Sequence, residues 1–400
     1  MGKLQAWAFV AVISASTPAC SAGPSADAPP YAVSDSAGVQ IVASKSSTWL
    51  GGTRRVDPDP LLQIGQEREG PYQFSFIAFG ILKDDGRIVI AEIAAQELRS
   101  FDASGQHVAT FGRSGRGPGE FEGLAGLYSY RGDSLAAYDA RLNRITVLDG
   151  AFSSYRSFAH QITGNYGVFG VAQDSVFLLF SPGGSYRPDL QPGLQWVITD
   201  IIAMGPDGEY HVVGQLPDRQ RRVAPDGNAP MPQPLQYAVQ AASPDGFYWA
   251  TPDRYVIAFY GVDGILRRML RRPIGRRAVE PGMIQQYIQI QLDRIQRSQG
   301  EDAAARFRQR YEEEQYGEWL PLFSQALVDS DQRLWVAETT WPDSSRPRRW
   351  SVFSPEGYLL GDVELPERLT PLDSRGDALL AVWLDEVDVP HLQLHRLLSQ

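Results

Sequence analysis

The chain has 400 residues, of which 43% are hydrophobic and 21% are charged. These fractions are close to those of ordinary globular domains, so the composition excludes a globally disordered chain. The formal net charge is −10. Because phosphate binding requires a basic surface, this charge argues against a nucleic acid as the main partner. The 38 glycines and 28 prolines favour a fold with many turns over one built of long helices.

The first 20 residues differ from the rest of the chain and predict a signal peptide. Lys3 supplies a positive charge, and residues 4–15 are apolar except for Gln5 and Ser14. This stretch is shorter than the roughly 20 residues that cross a bilayer, but its length suits the core of a signal peptide. No other stretch of the sequence is long and apolar enough to span, so we expect export without a transmembrane helix in the mature protein.

Cys20, the one cysteine of the chain, follows this apolar stretch directly. Residues 17–20 (TPAC) resemble the lipobox of bacterial lipoproteins, where the cysteine is lipidated and becomes the new N-terminus. Ala19 fits that pattern, whereas the two residues before it depart from it. The resemblance implies a lipid anchor at Cys20, and ordinary cleavage near Ala22 is the alternative. The composition of residues 21–37 (SAGPSADAPPYAVSDSA) predicts a flexible tether between the membrane and the folded domain.

From residue 38 to residue 400 the sequence repeats one unit, which consists of a turn, a short apolar strand, a gap and a partner strand. The predicted first strands are 86–92, 133–139, 174–180, 246–251, 332–338 and 377–383. Their predicted partners are 98–101, 144–148, 196–202, 255–259, 350–353 and 392–397. Three of the spacings between first strands are close to the roughly 40–45 residues of a propeller blade, and the two longer ones require insertions.

Two segments resemble the NHL-repeat family of β-propellers. Residues 111–121 (FGRSGRGPGEF) resemble its connection between blades, and residues 139–149 (DARLNRITVLD) resemble its second-to-third strand signature. The resemblance covers residues 38–398 at the level of blades. Within this family, the chain is similar to six-bladed propellers of bacterial envelopes. The resemblance implies an all-β, six-bladed β-propeller. Such a ring must close, and residues 39–43 (VQIVA) are the predicted N-terminal strand that completes the last blade.

Residues 280–317 break the strand pattern and predict an insertion of two helices. Pro281 suits a first helical turn, and residues 298–300 (SQG) predict the break between the helices. Apolar residues recur at helical spacing on the first helix: Ile284, Tyr287, Ile288, Leu292 and Ile295. Two interpretations remain open, because both need such a stripe: a helical hairpin packed on one propeller face, or a lid or partner surface over the central channel.

Glu92, Asp139 and Glu338 end equivalent predicted strands. One interpretation brings them together near the propeller axis to hold a cation such as Ca²⁺, which prefers oxygen ligands. In the other, each acid caps its own turn and pairs with an arginine such as Arg144, as the NHL resemblance implies, and no cofactor is required. His391 and His395 lie in the predicted closing strand, and the five histidines give no other support to a zinc site.

Two long segments, residues 181–195 and 217–237, lack a regular pattern and are candidates for recognition. Long loops on a rigid scaffold often carry binding residues, and mobile solvated loops are the alternative. The candidate ligand contacts within these segments are Tyr186, Arg187, Arg219, Arg221, Arg222 and Tyr237.

Two functional hypotheses follow from the sequence. The first is an exported binding protein of the cell envelope, attached to the membrane only by its N-terminal lipid, that recognises a protein, a peptide or a glycan through loops on one face. The second is a cation-dependent hydrolase or lyase of the lactonase type with its site in the central channel. No Gly-x-Ser-x-Gly elbow is present, and without a recognisable catalytic set the sequence favours binding.

Overall fold

The computed structural model describes residues 29–49, 52–65, 70–162, 166–181, 192–223, 236–313, 316–342 and 348–399. The predicted signal peptide, Cys20 and residues 21–28 of the predicted tether lie outside these residues. The described chain opens with four short strands, β1 (Tyr31–Ser36), β2 (Val39–Ser44), β3 (Thr53–Val56) and β4 (Leu62–Ile64), and a 3₁₀ turn at Gly70–Tyr72. We call the described residues from 29 to 65 the N-terminal belt.

Three sheets of four antiparallel strands follow the belt in chain order. The first contains β5 (Ile77–Leu82), β6 (Ile88–Glu92), β7 (Glu97–Phe101) and β8 (His107–Phe111). The second contains β9 (Leu124–Ser129), β10 (Leu135–Asp139), β11 (Arg144–Leu148) and β12 (Tyr155–Ala159). The third contains β13 (Gly167–Ala172), β14 (Val176–Phe180), β15 (Gly193–Met204) and β16 (Tyr210–Val223).

Two larger sheets complete the described residues. The fourth sheet contains β17 (Val239–Ser243), β18 (Gly246–Ala250), β19 (Val256–Gly261) and β20 (Leu266–Arg271), and it is extended by β2 and β1. Helices α1 (Pro281–Gln299) and α2 (Glu301–Glu313) come next. The fifth sheet contains β21 (Phe323–Val328), β22 (Leu334–Glu338), β23 (Arg348–Phe353), β24 (Leu359–Leu365), β25 (Leu369–Arg375), β26 (Ala378–Leu384) and β27 (Pro390–Ser399), together with β3 and β4.

The sheets pack face to face in a propeller-like, all-β arrangement. Leu98 and Leu135 share one apolar cluster between the first two sheets, and Tyr138 and Phe177 share the next. The last strands return to the first sheet, because Leu380 lies in one cluster with Phe101. All six predicted strand pairs are present and antiparallel. The first strand of each pair is largely apolar because its central residues are buried on both faces.

The N-terminal belt does not close the ring as the sequence predicted. Residues 39–43 lie in β2, which pairs in parallel with β20 of the fourth sheet and not with the last strands. Instead, β3 pairs with β24 and β27, and β4 pairs with β27. The prediction for residues 39–43 was therefore wrong. A short apolar strand fits any open sheet edge, and the preference for β20 arises from burial of Val42, which is 0% exposed among residues of the fourth and fifth sheets.

The predicted tether also ends earlier than expected, because β1 covers residues 31–36. A tight turn at Ala37 and Gly38, with φ of 54° and 80°, connects β1 to β2. Two consecutive residues with positive φ match the twist of an antiparallel hairpin. The serine- and alanine-rich composition therefore gave no sign of β1. This turn sets the register in which β1 pairs with β2.

The connections of the sheets separate onto two ends of the molecule. In an antiparallel meander, the turn between the second and third strands and the connection to the next sheet lie at the same end. This end carries residues 112–123, residues 251–255 and the segment from 272 to 322, and we call it the long-loop face. The glycine-rich residues 112–119 thus lie in a connection between sheets, β8 to β9.

The helical insertion is confirmed, with α1 and α2 separated at Gly300, whose φ of 88° favours glycine. Ile288 and Leu292 of α1 are buried in a small cluster with Ala304 of α2. The apolar stripe therefore serves mainly to pack the two helices against each other. Neither helix of the described chain is long and apolar enough to cross a membrane.

A short two-stranded stem joins the helices to the sheets. Ala278 and Trp319 pair in this stem, where the Leu320 amide donates to the Arg277 carbonyl over 2.8 Å. The ring of Tyr287 on α1 also lies 5.4 Å from that of Trp341. These contacts favour a helical hairpin on the long-loop face, and a lid over the central channel stays a prediction.

The inner strands of neighbouring sheets approach so closely that glycine is required at one position. A Cβ added to Gly170 of β13 would lie 2.0 Å from the Cβ of Ala242 on β17. We expect Gly170→Ala to lower the free energy of unfolding by about 1–3 kcal/mol through overpacking. Gly214→Ala is the matched control, since no atom lies within 4 Å of its added Cβ. Denaturant unfolding that gives equal stabilities for the two variants contradicts this packing.

Candidate functional site

A cavity of about 390 Å³ opens on the long-loop face between the third and fourth sheets. Its walls come from the start of β15, the end of β16, the segment before β17, the turn after β18 and the stem of the helical hairpin. We call it the stem pocket. The residues that line it are Leu194, Gln220, Arg222, Gln236, Asp253, Arg276, Gly317, Glu318 and Trp319.

The strand β16 carries the arginines that the sequence placed in an irregular segment. That part of the prediction was wrong, because β16 continues to Val223 and pairs with β15 over its whole length. The charged residues and Pro217 concealed the strand pattern. Successive side chains of a strand point to opposite faces, so Gln220 and Arg222 line the stem pocket, whereas Arg221 lies on the other face of β16.

Arg219 and Tyr237 are brought together, but they do not line the stem pocket. The Arg219 Nε donates to Asp218 Oδ2 over 2.9 Å, and its guanidinium lies 5.1 Å from the centre of the Tyr237 ring. Asp218 is 4% exposed, so this pair joins β16 to the segment before β17. Two further candidates, Tyr186 and Arg187, lie outside the described residues.

Three buried polar atoms of pocket-lining residues lack a hydrogen-bond partner within the described part of the chain: Arg222 Nε, Gln236 Oε1 and Asp253 Oδ1. Gln236 is 8% exposed. Its Nε2 donates to the Trp319 carbonyl over 3.0 Å. That bond fixes the orientation of the amide, because the reversed amide would place two oxygens against each other. The Gln236 Oε1 is therefore a fixed acceptor.

The charges of the stem pocket are only partly paired. Asp253 is engaged with Arg276, whose Nη2 lies 3.4 Å from Asp253 Oδ2 and whose Nε donates to the Asp253 carbonyl over 2.7 Å. The Arg276 guanidinium also lies 5.8 Å from the Trp319 ring. By contrast, Arg222 and the exposed Glu318 form no ion pair with any other described residue. The pocket thus offers one unpaired cation and one unpaired carboxylate beside a paired set.

Glu92, a candidate metal ligand, directs both carboxylate oxygens at backbone amides. Its Oε1 accepts hydrogen bonds from the amides of Ser75 and Phe76 over 2.7 and 2.6 Å, and its Oε2 accepts one from Ala95 over 2.6 Å. The side chain therefore caps its own turn and also holds the chain that enters β5.

Asp139 repeats this arrangement in the second sheet. Its Oδ1 accepts from the Leu142 amide over 2.9 Å, and its Oδ2 accepts from the Glu122 amide over 2.7 Å. Arg144 does not bond to this acid, contrary to the implied pairing. It donates instead to carbonyls of the glycine-rich connection, including that of Gly117 over 3.1 Å. Both side chains thus fasten the same loop.

Glu338 is only partly buried, and burial raises the pKa of its carboxyl group, which Arg349 partly opposes. Across the described ranges, no group of three or more His, Cys, Asp and Glu side chains could hold a metal ion. Glu92, Asp139 and Glu338 are therefore not gathered into such a group.

The two histidines of β27 contact nearby polar groups. His391 Nε2 lies 3.4 Å from Asp385 Oδ2, and His395 Nδ1 bonds to the Asp57 carbonyl over 2.8 Å.

Sequence reasoning missed most of the stem pocket. Gln236, Asp253, Glu318 and Trp319 belong to three connections that are distant in the chain, and no motif links them. The one available signal was the resumption of aromatic and apolar residues directly after the helical insertion, which marks where the chain returns to the sheets. The fold alone brings these residues next to Arg222.

No family model matches the chain, and no curated protein matches it. Among solved structures, a DUF4221 family member from Bacteroides vulgatus is 9% identical with a TM-score of 0.51, over 87% of this chain and 99% of that chain. A protein predicted to be exported from Bacteroides fragilis is 12% identical with a TM-score of 0.49, over 90% of this chain and 100% of that chain. At 9% identity the likeness to the DUF4221 family member shows a shared propeller-like fold and nothing about activity.

Proposed function

We propose that this protein is an exported binding propeller that takes its ligand in the stem pocket. The observation that carries the proposal is the set of buried, unpartnered polar atoms on Arg222, Gln236 and Asp253. A buried polar group without a partner costs free energy, typically about 1–3 kcal/mol. A cavity that accumulates three of them suits a ligand that supplies the missing hydrogen bonds.

The ring in this proposal has six blades. The fifth sheet divides into two four-strand units, β21–β24 and β25–β27 with β4, joined through β3. Apolar clusters connect β23 with β26 and β26 with β7, as expected when each unit packs on the next. Counting these two units with the four other meanders gives six, and β3 and β4 close the ring.

Export and anchoring rest on the sequence. Lys3 and the apolar residues 4–15 provide the signal, and Cys20 provides the site of lipidation. A tether of about ten residues then leads from Cys20 to β1, so the propeller stays within a few nanometres of the membrane. This location suits capture of an envelope protein, a peptide or a glycan.

A cation-dependent hydrolase or lyase is the weaker alternative. It requires several carboxylates or histidines directed at one cation. Glu92 and Asp139 instead direct their oxygens at backbone amides. Elemental analysis of protein purified without chelator separates the two functions, since the enzyme needs at least one equivalent of Ca²⁺ or Zn²⁺ and the binding protein does not.

We expect Arg222→Ala to reduce capture of the natural ligand from a detergent-solubilised envelope fraction by about tenfold or more, because a charge-assisted hydrogen bond is lost. Arg221→Ala is the matched control, since it removes the same side chain from the opposite face of β16. Mass spectrometry of the retained material, relative to the wild type, measures capture. Equal retention by the wild type and Arg222→Ala contradicts the proposed site.

A further inference from the structure

The chemistry of the stem pocket points to one class of ligand, and this inference rests on the proposed function. We propose that the pocket recognises an α-carboxylate and the nitrogen beside it, as found in a free amino acid and at the C-terminal residue of a peptide. Arg222 binds the carboxylate, while Gln236 Oε1 and Asp253 Oδ1 accept hydrogen bonds from the N–H groups of the ligand.

Arg222 carries the assignment of a carboxylate. A guanidinium matches the two oxygens of a carboxylate with parallel N–H donors. Within the described chain Arg222 has no carboxylate of its own, because Asp253 is engaged with Arg276 and with Arg254, whose Nε lies 3.7 Å from Asp253 Oδ2. The Nε of Arg222 is also buried and unpartnered, so its donor is available to a group that enters the pocket.

The surrounding charges favour a single negative charge on the ligand. Asp253 and Glu318 line the same cavity, where Arg276 offsets the charge of Asp253 and the unpaired Glu318 repels an anion. One unpaired arginine can offset a monoanion, whereas a phosphate dianion adds a second charge that no other unpaired cation among the lining residues compensates. A carboxylate therefore fits the pocket better than a phosphate group.

The two unpartnered acceptors require donors on the ligand. The orientation of the Gln236 amide is fixed by its bond to the Trp319 carbonyl, so its Oε1 can only accept. Asp253 Oδ1 is buried and also only accepts. An α-nitrogen lies next to the carboxylate and supplies such N–H donors. The apolar surfaces of Leu194 and Trp319 complete the wall that a ligand side chain can contact.

Glu318 distinguishes the two sources of this chemistry. Its carboxylate is exposed and forms no ion pair with another described residue, so it can attract the ammonium group of a free amino acid. A peptide has a neutral amide nitrogen at the same position, which gains less from this charge. Free amino acids should therefore depend on Glu318, and peptides should not.

The test measures binding by titration calorimetry of the exported protein purified in detergent. The probes are tripeptides Ala-Ala-X with a free carboxylate, the same tripeptides as C-terminal amides, free amino acids, galacturonic acid and inorganic phosphate. We expect at least one free-acid peptide or amino acid to bind, and its amide to bind about 10- to 100-fold more weakly. Arg222→Ala should cause the same loss, Arg222→Lys a smaller one, and Arg221→Ala none.

The outcomes separate this inference from the proposed function. The inference is overturned if the amides bind as well as the free acids. It is also overturned if galacturonic acid or phosphate binds in place of the peptides and amino acids. Arg222-dependent binding of any probe still supports the stem pocket as the binding site. Failure of every probe also overturns the inference, even when envelope material is still captured through Arg222. A loss with Glu318→Gln that is confined to free amino acids identifies them as the ligand.

Discussion

A chain that begins at residue 66 is expected not to fold, whereas a chain that begins at residue 29 is expected to fold normally. The longer truncation removes β3 and β4, which pair with β27 over residues 54–56 and 62–64. Without them β24 and β27 become open edges next to buried apolar residues. Open apolar edges pair with other chains and cause aggregation.

The size of this effect follows from what β3 and β4 bury. Val56 is 8% exposed and Ile64 is 4% exposed, and each belongs to a cluster that also contains residues of β26. Burial of one such side chain contributes about 1.5–3 kcal/mol, and the backbone hydrogen bonds to β24 and β27 add to it. Since a domain is stable by only about 5–15 kcal/mol, loss of both strands is expected to remove most of that margin.

A third chain that begins at residue 52 provides the matched control. It loses β1 and β2 but keeps β3 and β4, so the edges of β24 and β27 remain covered and β20 becomes an edge. We expect it to fold with a lowered melting temperature, because Val42 leaves its cluster. Circular dichroism, thermal unfolding and gel filtration of the three chains measure the outcome. A native spectrum and a monomeric elution for the chain that begins at residue 66 would falsify the expectation that β3 and β4 are needed for folding.

Asp373→Ala is expected to lower the free energy of unfolding by about 3 kcal/mol or more. Asp373 accepts hydrogen bonds from the amides of Leu82, Ser330 and Ser374, each over 2.8 Å, and from the Ser330 hydroxyl over 2.5 Å. It thus joins the end of β5 to the turn after β21 and to β25, and its loss leaves buried donors unsatisfied. Asp84→Ala is the control, since the Asp84 side chain is 88% exposed and should contribute within about 0.5 kcal/mol.

The same carboxyl group predicts a dependence of stability on pH. Burial raises the pKa of Asp373 to about 6 in the folded protein, against an ordinary value of 3.8. Because the folded protein binds this proton more tightly than the unfolded chain, the contribution is fully present below about pH 4 and is lost as the pH rises through about 6. Asp373→Asn cannot titrate, so the stability of the wild type relative to this variant should fall by about 3 kcal/mol across that window.

Urea unfolding of the wild type and Asp373→Asn at pH 4, 5, 6 and 7 measures this difference directly. Groups that titrate elsewhere act on both proteins and cancel in the comparison. A difference that stays constant across the series, or that grows as the pH rises, would show that Asp373 is charged throughout in the folded protein.

The middle strands of the fold could be predicted because their signal is local. Strands such as β6 and β22 bury both faces, so each is a short apolar run that ends at a turn residue, and the pattern is visible without knowledge of any partner. The outer strands lack this signal. β12, for example, has four of its five residues exposed, and its place beside β11 depends on the sheet that precedes it in space.

The binding residues were predictable only in part, and Arg222 shows the reason. The sequence indicated a cluster of arginines, but it could not indicate which of them share a face, because β16 itself was not visible. Arg219 is held by Asp218, Arg221 points to the opposite side, and Arg222 lines the cavity. The alternation of a strand, once its pairing with β15 is known, separates Arg222 from Arg219 and Arg221, and the bond to Asp218 then distinguishes Arg219.

The sequence by itself determined an all-β repeat of short strands and the two-helix insertion, since each is encoded by neighbouring residues at a fixed period, and its export signal stays a prediction. Only the tertiary structure decided which edges the N-terminal belt covers and that Arg222, Gln236, Asp253 and Glu318 line one cavity. Those outcomes depend on contacts between residues far apart in the chain, where burial and strand pairing, rather than local pattern, select the arrangement.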